Sequence, residues 1–138
     1  MTARYLLDTN VLSLPIQPAP DARVLRRLEA RAHACVTAAP VLHELRYGSR
    51  LLEPSRRRAV IERFVEEVLL RVYPVLPYDR AAAEWHADER ARLSKAGSPA
   101  PYADAVIAAI AAVNSLVLVT ANTRDFRRFR DLEVETWA

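Results

Sequence analysis

The chain is organised around Tyr5-Leu6-Leu7-Asp8-Thr9-Asn10-Val11-Leu12. There a short apolar run stops at a carboxylate, passes through Thr and Asn, and resumes with apolar residues at helical spacing. A buried parallel strand reads this way when it delivers an acid to a sheet edge and turns into a helix. Open α/β sheets bind ligands outside the carboxyl ends of their strands, which puts Asp8 where chemistry is usually done. An Asp ahead of a helix is also an ordinary N-cap, contributing about 1 kcal/mol to the helix. Asp8 alone does not choose between these readings, and the acids that follow it carry the decision.

Strands and helices alternate along the rest of the chain. Strands are expected over Arg4–Leu7, Ala34–Thr37, Arg71–Leu76, Leu116–Val119 and Glu133–Thr136. Between them the apolar spacing predicts helices over Val11–Ile16, Asp21–Arg31, Ala39–Leu51, Arg56–Leu70, Arg80–Lys95, Tyr102–Asn114 and Asp125–Phe129. Gly97-Ser98-Pro99-Ala100-Pro101 is the clearest loop. Such alternation implies βαβ units, right-handed crossovers and a parallel sheet covered on both faces, in one three-layer α/β/α domain spanning residues 1–138.

Composition narrows the function classes. Of 138 residues, 51% are apolar and only two are Gly, which argues against disorder. No apolar run approaches the roughly 18 residues of a membrane span, and no charged-then-apolar leader is apparent, so a cytoplasmic location is expected. Cys35 has no partner for a disulfide and reads as a small buried residue. The net charge of +3 is carried almost wholly by Arg, with Lys95 the sole lysine. A basic surplus of this kind fits nucleic-acid binding, although Arg enrichment follows equally from genomic codon usage.

Three further positions carry acids or their company. Glu44 lies in Val41-Leu42-His43-Glu44-Leu45-Arg46-Tyr47-Gly48, at the edge of a helical stripe made by Val41, Leu42 and Leu45. It reads as a boundary residue, or as a carboxylate looking along the helix toward a cleft. Asp104 opens the apolar helix Ala-Val-Ile-Ala-Ala-Ile and shares a face with Ile107 and Ala111. The helix macrodipole favours a first-turn acid, but a carboxylate on the inward face calls for a charged partner, hydrogen bonds or a metal. The fourth position is Val119-Thr120-Ala121-Asn122-Thr123-Arg124-Asp125-Phe126, where a strand again ends in small polar residues; turn and capping chemistry is its simpler explanation.

Asp8, Glu44 and Asp104 come from distant stretches, yet each is expected at one sheet edge. Gathered there, they would repel one another unless a hard divalent cation joined them. Such a cation activates water for attack on phosphate and stabilises the departing oxygen.

Taken together, Leu-Leu-Asp8-Thr-Asn-Val-Leu, Val-Leu-His-Glu44-Leu-Arg-Tyr-Gly, Asp104-Ala-Val-Ile-Ala-Ala and Leu-Val-Thr120-Ala-Asn122-Thr-Arg-Asp125-Phe resemble the successive motifs of PIN-domain ribonucleases. The likeness is greatest to the VapC-type toxins of bacterial toxin–antitoxin pairs and spans essentially the whole chain. It implies a five-stranded parallel sheet in the order 3-2-1-4-5 and a Mg²⁺- or Mn²⁺-dependent endoribonuclease leaving a 5′-phosphate and a 3′-hydroxyl. It also implies a homodimer neutralised by a small antitoxin, with higher assembly in that complex. By this resemblance Asp8, Glu44 and Asp104 are the metal-site acids. Some relatives carry a fourth acid where this chain has Asn122, and Asp125 is placed to replace it in part. Thr9, Asn10 and Thr120 are expected to support the site through hydrogen bonds.

Arg124, Arg127 and Arg128, with Arg46 in the second motif, are candidates to grip RNA phosphates. An antitoxin carboxylate or a surface ion pair explains the cluster that follows the fourth motif equally well. His43 points about 100° from Glu44 on a helix, and His33 and His86 lack metal-ligand spacing, so all three are expected at the surface or in packing. Trp85 and Trp137 read as core or interface residues. Two rival functions remain: a housekeeping PIN nuclease of RNA maturation, and a binding module whose Asn122 marks lost activity. A phospho-receiver domain would want a second acid near the first strand and a lysine after the last, and neither is present.

Overall fold

A computed structural model describes residues 2–138. Among them, five parallel strands form one sheet: β1 (Tyr5–Leu7), β2 (Cys35–Ala38), β3 (Val75–Leu76), β4 (Val117–Val119) and β5 (Val134–Glu135). Their order is β3-β2-β1-β4-β5, as the resemblance implied. β1 is central, with Leu6 opposite Val36 on one side and Leu118 on the other. β1, β2 and β4 are buried at every residue, as strands covered by helices on both faces must be.

The helices are α1 (Thr9–Leu12), α2 (Ala22–Arg31), α3 (Ala39–Leu51), α4 (Arg56–Phe64), α5 (Leu70–Val72), α6 (Arg80–Lys95), α7 (Tyr102–Val113) and α8 (Thr123–Phe126). Side chains cap four of them: Asp8 accepts from the Thr9 amide, Asp21 from the Arg23 and Val24 amides, Ser55 from Arg58 and Asp79 from Ala82. Each satisfies amides that have no partner inside the helix. At the end of α6, Gly97 takes φ +74°, a conformation that costs glycine little, while the Ser98 amide returns to the Leu93 carbonyl at 2.9 Å.

Some expected helices depart from their bounds: Val11–Ile16 is split between α1 and a 3₁₀ turn at Leu14–Ile16, and Asp125–Phe129 shifts to Thr123–Phe126. The stretch after α4 does not continue as α-helix; Val65–Leu69 winds as a π-helical turn, and the Leu70 amide reaches back to the Val65 carbonyl. The wider turn brings residues five apart toward one face, so Phe64 and Leu69 are buried together. The chain then remains helical through Val72, and the strand expected from Arg71 shrinks to Val75–Leu76.

The core lies on both sides of the sheet. α7 is buried at every residue from Ala105 to Ala111, and its alanines let it lie against both β4 and α6. On the other edge Trp137 folds back beyond β5 against Tyr5, edge to face at 5.2 Å. Its indole donates to Glu135 at 2.9 Å, and its carbonyl accepts from Arg27 at 2.6 Å. Cys35 is buried, and its thiol is pushed up to about 11 by that burial. Among the described residues, no helix is long and apolar enough to cross a membrane.

The topology fixes where a site can form. From β1 the chain steps outward to β2 and β3, then returns across β1 to β4 and β5. At that reversal the connections leave in opposite directions and a crevice opens beyond the carboxyl ends of β1 and β4.

Replacing Trp137 by Ala removes a buried aromatic that ties β5 to β1. We expect a loss of about 3–5 kcal/mol, measured by urea unfolding, with an unchanged slope if the native fold is kept.

Candidate functional site

Asp8 is the first residue after β1, and its amide still pairs with the Val119 carbonyl of β4 at 3.0 Å. Its carboxylate is 7% exposed and held by three donors: the Thr9 amide at 2.9 Å, the Thr120 hydroxyl at 2.7 Å and the Asn10 carboxamide at 3.3 Å. Asp8 does cap α1, but α1 has only four residues. Burial pushes the Asp8 carboxyl above the ordinary Asp range, against the pull of its hydrogen bonds; the nearby Glu44 charge pushes the same way.

The turn after β4 is knitted into the same place. Thr120 is fully buried; while its hydroxyl donates to Asp8, its oxygen accepts from the Asn122 amide at 3.0 Å. Asn10 joins the two strand ends, its amide group on Asp8 and its carbonyl oxygen accepting from the Ala121 amide at 3.1 Å. Thr9 donates its hydroxyl to Glu44, which α3 carries in from the β2 side. The three residues expected to support the site therefore each tie one strand end or one acid to another.

Asp104 arrives on the first turn of α7. Partial burial holds its carboxyl above the usual range, and the charges of Asp8, Asp125 and Glu44 add to that shift, while Arg128 opposes it. Among the described residues, no side chain or amide donates a hydrogen bond to Asp104, and none of Asp8, Glu44 and Asp104 is paired with Lys or Arg.

These groups line one cavity of about 490 Å³, with Asp8, Glu44 and Asp104 on its walls. Asn122 lines it too, and its side chain makes no capping bond to α8. Asp125 stands outside the lining, close enough to act on Asp104 through its charge. The carboxylates share the cavity without closing on a point: among the described residues, no three His, Cys, Asp or Glu side chains form a finished metal cage. An open wall of hard oxygen donors with unneutralised charge suits a divalent cation that keeps part of its water shell, so the residues present fit such an ion.

The arginines divide. Arg46 is engaged by Glu66 on the π-helical turn and does not line the cavity. Arg124 and Arg127 are exposed, whereas Arg128 is half-buried near Asp104 and donates to the Ser98 hydroxyl at 3.4 Å. Its chain segment is fixed by buried Glu89, which accepts from Arg92 and from the Arg130 amide, while Arg92 also donates to the Arg128 carbonyl. His43 and Tyr47, absent from the expected site, line the cavity with their rings stacked 6.1 Å apart. The signal was in the sequence: Tyr47 falls one helical turn beyond both His43 and Glu44. His86 is buried as a packing residue.

Comparisons with known proteins point to one family. A family model described as PIN domain matches residues 5–132. The chain is 36% identical to the tRNA(fMet)-specific endonuclease VapC of Shigella flexneri, over 98% of each chain. It is 34% identical to the toxin FitB of Neisseria gonorrhoeae, over 88% of this chain and 89% of the other. Among solved structures, FitAB bound to a DNA fragment matches with a TM-score of 0.87 at 30% identity, covering 97% of this chain and 96% of that one. DNA-bound VapBC from Salmonella typhimurium matches with a TM-score of 0.82 at 30% identity, over 99% of each chain.

The raised acids carry a sign that can be checked. A carboxyl whose folded-state affinity for protons exceeds its unfolded one binds more protons when folded, so stability falls as pH rises above about 3.8 through the raised value. Asp104→Asn removes that penalty without losing a hydrogen bond. In chelator at neutral pH the variant should melt at or slightly above the wild type, a gain under about 1 kcal/mol after solvent screening. The difference should vanish near pH 3, as followed by circular dichroism.

Proposed function

Because the chain belongs to the PIN-domain family, whose nucleases generally depend on divalent metal, we propose that it is a Mg²⁺- or Mn²⁺-dependent endoribonuclease toxin neutralised by a small antitoxin. The single observation that carries this reading is the convergence of Asp8, Glu44 and Asp104 on one cavity at the sheet's switch point. Relatives named as VapC endonuclease and FitB toxin, and solved VapBC and FitAB structures, support the toxin role and a protein partner. Homodimerisation and higher assembly with the antitoxin belong to the same proposal.

Asp8, Glu44 and Asp104 would hold the ion, with Asn122 offering a neutral amide oxygen in place of a fourth charge. When bound, the ion supplies a Lewis acid for the phosphoryl oxygens and lowers the pKa of bound water.

The chain's own residues do the rest. Thr120, Thr9 and Asn10 hold the Asp8 carboxylate by three hydrogen bonds, so it keeps one orientation while desolvated. Thr9 orients Glu44. Asp104, to which no described residue donates a hydrogen bond, keeps its oxygens available to a water and to the proton that water sheds. That water adds to phosphorus, the bond to the 3′ oxygen breaks, and the leaving oxygen takes a proton, giving a 5′-phosphate and a 3′-hydroxyl. Exposed Arg124 and Arg127, with Arg128 beside Asp104, supply positive charge for the flanking phosphates.

Purified protein with Mg²⁺ or Mn²⁺ should cleave RNA and lose cleavage on chelation. Asp8→Asn or Asp104→Asn should lower kcat/KM by more than about a hundredfold; wild-type rates in both variants would reject the assignment. In parallel, saturating ion should stabilise the wild type by about 2.7 kcal/mol at a hundred times Kd. Asp104→Asn should lose most of that gain, while Asn122→Asp should need less ion for half-maximal stabilisation.

A further inference from the structure

The acidic cavity does not end at its acids. Pro40, His43 and Ala103 also form the wall of a second hollow, of about 440 Å³, flanked by Tyr78 and Tyr102. No Asp, Glu, Arg or Lys lines it, and its remaining walls are Ala39 and Val106.

Its two tyrosines are exposed yet fixed. Tyr102 is 58% exposed, but the Arg90 guanidinium lies over its ring at 5.6 Å and the His86 ring packs edge-on at 5.0 Å. Tyr78 is 37% exposed, and its hydroxyl meets His86 Nδ1 at 2.9 Å. His86, buried between them, leaves Nε2 without a partner among the described residues. A polar ring is thus buried at some expense behind two aromatic rings that stay partly exposed. Aromatic rings held in place before a ligand arrives lose little freedom on binding it. A hollow with no carboxylate in its lining and with preset aromatic rings suits a planar ring and offers a metal ion little.

We propose that this hollow is a nucleobase subsite, in which a base flanking the scissile phosphate stacks on Tyr102. The proposal rests on the ribonuclease reading given above. Pro40, His43 and Ala103 wall both this hollow and the cavity that holds Asp104, so a base seated against Tyr102 sets its sugar–phosphate toward the acids. Stacking tolerates every base, since each has a π face, so the subsite selects unpaired nucleotides more than a particular letter. It accepts a base splayed out of a loop and rejects one held in a duplex.

The test compares wild type, Tyr102→Ala and Tyr102→Trp on a cleaved single-stranded RNA and on copies made abasic at either nucleotide beside the cut. Tyr102→Ala should lower kcat/KM on intact RNA by about tenfold or more, and Tyr102→Trp should retain it. An abasic nucleotide on one side of the cut should bring the wild type down to the level of Tyr102→Ala, and Tyr102→Ala should lose nothing further. Equal losses in wild type and variant on abasic RNA, or no abasic penalty in the wild type on either side, would overturn the subsite while leaving the ribonuclease reading intact. The wild-type measurement keeps the test decisive even where Tyr102→Ala folds poorly. Sedimentation velocity adds a further arm: a Tyr102→Ala defect that tracks dissociation of two copies and ignores the abasic change assigns the surface to a second copy and rejects the base. Wild type that cleaves no RNA with Mg²⁺ or Mn²⁺ would reject the ribonuclease reading and the subsite together.

Discussion

The Thr120 hydroxyl donating to the Asp8 carboxylate across 2.7 Å joins the ends of the two central strands, and the site depends on that join. A desolvated carboxylate is costly to fold around. Here the cost is offset by three donors from the turns after β1 and β4, themselves tied together when Asn10 accepts from Ala121. The hydrogen bonds favour the charged form and the burial disfavours it, with burial the larger effect. The fold thus holds an acid whose carboxyl is raised above the ordinary Asp range, beside two more, with no lysine or arginine paired to any of them among the described residues. An arrangement of this kind is unfavourable without a ligand and useful with one, which is the usual signature of a functional centre.

Much of this was legible in the order of residues. The abrupt change from Leu7 to Asp8 placed both the strand end and the acid, and the nearly unbroken apolar run from Ala105 to Ala111 identified a buried helix. Arg80–Lys95 emerged with the expected bounds because Asp79 opens it and Gly97 closes it with local chemistry. The order of the strands came from likeness to a family; alternation of strands and helices is compatible with several orders.

What remained hidden was hidden for physical reasons. The π-helical turn at Val65–Leu69 reflects a choice of which side chains reach the core, and an apolar segment of that length satisfies either winding. Once the winding shifts, the next strand starts later, so Arg71 and Val72 fall in a helix. Arg46 met Glu66 across twenty residues, a pairing no local pattern announces. His43 looked wrong for a site on angular grounds, because 100° from Glu44 excludes sharing one ion. A cavity of about 490 Å³ is wide enough for both to face it.

The two rims of the sheet are each only two residues long, Val75–Leu76 on one side and Val134–Glu135 on the other. A longer bare rim would present a ladder of free amides and carbonyls onto which stray strands could add. With so little template at either margin, self-propagating strand addition has almost nowhere to begin.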